Sequence, residues 1–141
     1  MKTKLTTLLL VASTVLVFAQ KKKNGTVYID HPAIEVVNQM YEAVNSNNLE
    51  ALNTLLSDDY KGVWGDEMNK DREPQTKEEF ISNVDAWNTK NRYYSLETAK
   101  NAYPDAITYS DENFKDITFV YCWEVLSGVG GMTGVKFTQR R

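Results

Sequence analysis

Residues 116–128 read DITFVYCWEVLSG, and they set the strongest candidate for chemistry, the carboxylate of Glu124, inside a largely apolar run. In an extended strand successive side chains point to opposite faces. Thr118, Val120, Cys122, Glu124 and Leu126 therefore share one face, and Ile117, Phe119, Tyr121, Trp123 and Val125 share the other. In an apolar cavity desolvation raises a carboxylate's pKa, as a general base working near neutral pH requires. On an outer face the same group is a solvated charge. Asp66, following Gly65, is the second catalytic candidate, with a turn acid as its simpler role. The only histidine, His31, stands between Asp30 and Pro32, where capping a helix start suits it better than catalysis. The only cysteine, Cys122, sits in an apolar strand and reads as an inert packed thiol, because low-pKa thiols need cationic or helix-terminal surroundings.

Metal chemistry finds no support in the spacing. The acid-rich stretch DEMNKDREPQ at 66–75 invites a calcium loop, which needs acids at alternate positions and glycine at the sixth. Starting at Asp66 puts Met68 third, and starting at Asn69 puts Pro74 sixth. Neither a metal nor a cofactor is expected.

The chain that must position these residues has 141 of them, 42% hydrophobic and 25% charged, the makeup of one globular domain with one core. Residues 1–19 stand apart. MKTK is cationic, LTTLLLVASTVLVF is apolar, and VFAQ places Ala19 where a signal peptidase reads, so this segment is expected to be an export signal. Leu5 to Ala19 falls short of the roughly 20 apolar residues that cross a bilayer. The mature chain is then expected in the periplasm or outside the cell. Its removal leaves 14 basic side chains against 19 acidic ones, a net of −5. An acidic surface of this kind has no general attraction for nucleic acid or anionic membranes. Residues 20–30, with Lys21 to Lys23, are expected to be a flexible, solvated tail.

The domain should span 31–141. In DHPAIEVVNQMYEAVN, Ala33, Val37, Met40 and Val44 recur at helical spacing, with Ile34 and Tyr41 widening the stripe, and Pro32 suits the first turn. Asn48 can cap a short second helix with Leu49, Leu52, Leu55 and Leu56 on one side. YKGVWG suggests a short strand. Thr76 and Glu79 form a capping box for a third helix whose apolar side is Phe80, Ile81, Val84 and Trp87. RYYSLETA, DAITYS, DITFVYCWEVLSG and MTGVKFTQ then read as antiparallel strands separated by turn-like segments, which makes the fold class α+β with the helices on one face of the sheet.

The stretch VVNQMYEAVNSNNLEALNTLLSDDYKGVWG, with Tyr-x-Ala-x-Asn ending a helix and Asp-Asp before an aromatic strand, resembles the opening of SnoaL-like domains in the nuclear transport factor 2-like superfamily. The order of the later elements resembles that family too, over nearly all of residues 32–141. The resemblance implies a cone, a curved antiparallel or mixed sheet wrapped around three N-terminal helices, with a hydrophobic pocket open at one end and a homodimer formed through the sheet. It also implies a last strand beyond GVKFTQRR, so a C-terminal truncation and an exposed strand edge are expected. Family members include cyclases, isomerases, dehydratases and hydrolases as well as domains that only bind, so fold does not fix function.

In such a cone the more aromatic face of strand 116–128 suits the interior, which would put Glu124 outside. Tyr41, Trp64, Trp87, Tyr121 and Trp123 come from elements that face the pocket in this family and are the expected ligand contacts. Three functions follow as expectations. The first is a binding domain for a small apolar or aromatic molecule. The second is an isomerase, cyclase or hydrolase using a pocket carboxylate as general acid or base. The third is a dimerisation module with a filled core.

Overall fold

The structure, a computed structural model, describes residues 25–63, 73–115 and 117–140. The expected signal at 1–19 lies outside the described residues, as do Trp64 and Asp66. Among the described residues three α-helices and two three-stranded antiparallel sheets make the fold α+β.

Helix α1, Pro32–Asn45, starts where proline costs nothing, since its missing donor would be unpaired there. His31 caps it, its Nδ1 accepting from the Ala33 amide at 3.1 Å. Asn47, at φ 52°, turns the chain in a conformation that asparagine tolerates better than most residues, and Asn48 caps α2, Leu49–Leu55, by accepting from the Ala51 amide. Thr76 and Glu79 complete both halves of the capping box that opens α3, Lys77–Lys90. The three helices meet over one core in which Leu52 is wholly buried among Ala43, Val44, Phe80 and Val84. Asn88 of α3 ties α1 down by donating to the Val44 carbonyl at 3.1 Å.

The strands are β1 Gly25–Tyr28, β2 Asn91–Thr98, β3 Asp105–Tyr109, β4 Thr118–Tyr121, β5 Glu124–Gly130 and β6 Lys136–Arg140. One sheet runs β1-β3-β4 and the other β2-β5-β6. The registers make β2 and β3 successive partners of β4 and β5 along one interrupted hairpin. Asp105 pairs with Tyr121 and Thr98 with Glu124, so residues 99–104 on one arm stand opposite only Cys122 and Trp123 on the other. The single strand expected over 116–128 is therefore two, in two sheets. A run of apolar residues gives no sign of where its hydrogen-bond partner changes.

Two further expectations change. Residues 25–28, assigned to the flexible tail, form β1 against β3, because Thr26 to Tyr28 can pair with the open edge of Ala106 to Thr108. The early strand YKGVWG is reduced, within the described residues, to one bridge between Gly62 and Gln75.

Edge strand β2 carries amides that β5 does not reach. At Leu96 both backbone groups are taken by Asn45 at the end of α1, whose Nδ2 donates to the carbonyl at 2.9 Å and whose Oδ1 accepts from the amide at 2.7 Å. Asn45 thus mimics a strand residue, blunts the edge and fixes the last turn of α1 over β2. That anchorage places Tyr41, one helical turn earlier, over the start of β5.

Candidate functional site

Side-chain parity survives the interruption between β4 and β5. Ala106 opposite Val120 in one sheet, and Leu126 and Gly128 in the other, are buried, so the even-numbered face of residues 118–128 is the one packed towards the helices. Glu124 belongs to this face, and the expectation that it lies outside is overturned. The reason is size. Helix α1 lies over β3 and β4 with buried Ala43 and Val44, and the close helix is accommodated there by Thr118, Val120 and Cys122 rather than by a row of rings. The bulky face points away, with Tyr121 45% and Trp123 48% exposed.

The Glu124 carboxylate is half-buried, and Tyr41 Oη donates to its Oε1 at 2.6 Å. Tyr41 itself is 6% exposed, and Cys122 shares the inward face with Glu124 two residues before it. Three polar side chains thus converge where the hairpin is interrupted. In front of them opens a cleft of about 1170 Å³. Its walls are Met40 and Val44 of α1, Phe80, Val84 and Trp87 of α3, Tyr94 and Leu96 of β2, and Glu124 and Leu126 of β5, with Tyr60 to Val63 and Glu73 to Thr76 along the rim. Tyr60 packs on Phe80 with centroids 5.4 Å apart, and Trp87 on Tyr94 at 6.1 Å.

Of the expected ligand contacts, Trp87 lines the cleft, Tyr41 lies behind Glu124, and Tyr121 and Trp123 stand on the opposite face, away from it. Tyr60, Phe80, Tyr94 and Leu96 were missed as wall residues. Tyr94 and Leu96 alternate in RYYSLETA with exposed Tyr93 and Glu97, and that alternation was the available signal. Among the described residues no group of three or more His, Cys, Asp or Glu side chains is placed to hold a metal ion, and no helix is long and apolar enough to cross a membrane.

Burial, then the hydrogen bond to Glu124 and its negative charge, push the Tyr41 phenol far above its ordinary value. Burial also raises the Cys122 thiol, with the Tyr41 hydrogen bond acting against it and the Glu124 charge with it, and burial alone raises Tyr60. A folded-state pKa above the unfolded one stabilises fully below the unfolded value and ceases to do so as pH rises through the folded value. Unfolding free energy should accordingly fall from about pH 9 upward, where an unfolded thiol and then unfolded phenols begin to ionise. Urea melts across that range should show the decline, and Tyr41→Phe should flatten it. An identical decline in the variant would detach Tyr41 from the effect.

No protein-family model, curated protein or solved structure matches this chain.

Proposed function

We propose that this chain is an exported SnoaL-like domain whose cleft binds a small molecule with an apolar or aromatic body. The observation that carries the reading is the cleft itself, which is walled by Phe80, Trp87, Tyr94, Leu96 and Leu126 and has one hydrogen-bonded carboxylate at its inner wall. Apolar walls with a few placed polar groups are what a small-molecule site requires. The interrupted hairpin would be the place where a cone's sheet turns around its helices.

The acid–base alternative is favoured by Glu124 facing the cleft as a proton acceptor. Catalysis on a carbonyl compound also needs a donor aimed at the developing oxyanion. Tyr41, the phenol that touches Glu124, lies behind it and not in the cleft, so their hydrogen bond holds the carboxylate in place rather than meeting a substrate, which favours binding. Fluorescence titration with the neutral dye N-phenylnaphthylamine tests it. Saturable binding is expected, weakened about tenfold in Trp87→Ala by the loss of a ring contact. Trp87 is 48% exposed, so the fold should tolerate the change. A dye that fails to bind, or binds the variant equally, removes the reading. Turnover of a carbonyl compound that is abolished in Glu124→Gln would replace it with the enzymatic one.

The chain further pairs with a second copy through the outer face of the β1-β3-β4 sheet, where Val27 is 58% and Tyr121 45% exposed beside the edge-to-face rings of Tyr109 and Phe119. Exposed apolar patches of this kind mark interaction surfaces. Sedimentation should show a dimer that Val27→Lys converts to monomer, and a monomeric wild type would remove the proposal.

A further inference from the structure

The charge of the cleft is one-sided. Among the described residues that line it, Glu73, Glu78, Glu79 and Glu124 are acidic, and Lys61 is the one cation. Glu79 is engaged at the start of α3, where its Oε2 accepts from the Thr76 amide at 2.9 Å. Glu124 differs from the rim acids in being set on the wall beside Leu126 and held from behind by Tyr41. An ionised carboxylate offers about four acceptor positions, and the Tyr41 hydroxyl takes one of them.

A ligand that covers Glu124 takes water from it. A wholly apolar ligand gives nothing in return, so the desolvation opposes binding, and an anion adds repulsion. An ammonium head replaces the lost water with a charge-assisted hydrogen bond. Two ring pairs, Tyr60 with Phe80 and Trp87 with Tyr94, add faces on which a cation is favoured within about 6 Å of a ring centre. The carboxylates of the rim bias the approach in the same direction.

We propose that the cleft selects an organic cation, a primary or substituted ammonium carried on an apolar or aromatic body, with Glu124 receiving the cationic head. This inference rests on the binding reading above and adds the polarity of the ligand to it. An anionic or neutral aromatic of the same shape is discriminated against by the same carboxylate.

Three probes of one shape and different charge test it: phenethylamine, propylbenzene and hydrocinnamate, titrated into the protein while backbone amide shifts around the cleft are followed by NMR. At neutral pH the amine should bind about tenfold more tightly than propylbenzene, and hydrocinnamate more weakly than either. Raising the salt should narrow the gap. Glu124→Gln keeps the size of the side chain and an acceptor for Tyr41. It should bring the amine close to propylbenzene while leaving propylbenzene binding in place. Hydrocinnamate binding as tightly as the amine, or an amine preference undiminished in Glu124→Gln, overturns the inference. Propylbenzene that shifts the cleft amides without any amine preference overturns this inference alone. Failure of all three probes to move those amides overturns it together with the binding reading.

Discussion

Leu52→Ala is expected to lower the unfolding free energy by about 3 kcal/mol, from lost transfer energy and the cavity left behind. Among the described residues Leu52 is the largest side chain that is wholly buried, and the cluster around it, Ala43, Val44, Phe80 and Val84, draws on all three helices. Helix α2 has only seven residues, too few for stability of its own, so it is held by this contact. The neighbours cannot close the gap cheaply, since Phe80 and Val84 also serve as cleft wall on their other side. A domain of this size has about 5–15 kcal/mol in total, so the loss is a large share of it. It should appear in a thermal melt as a drop of roughly 10 °C. A change under about 1 kcal/mol would mean that α2 is not part of the cooperative core.

Gly128→Val is expected to cost nearly as much, about 2–3 kcal/mol, by overfilling rather than by emptying. Gly128 sits on the buried face of β5, directly opposite Phe137 of β6, and the phenyl ring lies across it. A β-carbon placed there would run into that ring and approach the Tyr93 carbonyl oxygen to 2.6 Å. The ring covers the backbone that a missing side chain would leave bare, an arrangement that steadies glycine within a strand. Urea denaturation measures the loss. Phe137→Ala in the Gly128→Val background should recover part of it, because the ring clash disappears while the carbonyl contact stays. A neutral Gly128→Val would show that the ring does not rest there.

The helical half of the fold was legible because its signals are local. His31–Pro32, Asn48 and Thr76 with Glu79 each mark a helix start through groups one to three residues away, and every one of these caps is present. The strands from Asn91 onward were legible as strands, through alternation and intervening turns, but their partners were not. Register is a long-range property. Nothing local tells Tyr121 that it pairs with Asp105 or Glu124 that it pairs with Thr98. The candidate site suffered most from this. Glu124 was found as the acid of interest, yet ring size pointed to the wrong face, since the helix demanded small neighbours where a pocket alone would have accepted large ones. Trp87 was placed on the apolar side of α3 by its helical spacing from Phe80 and Val84, and only the family resemblance pointed it to a pocket. Tyr60, which completes one ring pair, comes to the cleft through tertiary packing that its own segment does not announce, whereas the alternation around Tyr94 gave its face but not its partner Trp87.

The interrupted hairpin makes its two arms unequal under chain-length change. Six residues, 99–104, bridge the gap on one arm, and shortening or lengthening that excursion leaves the orientation of every paired side chain intact. On the other arm only Cys122 and Trp123 make the step. Deleting either one would rotate all of β5 by half a strand repeat, turning Glu124 and Leu126 to the solvent and Val125 and Ser127 to the helices. Tolerance of indels in this protein should therefore divide sharply between two stretches that face each other, with the pocket acid hostage to the shorter one.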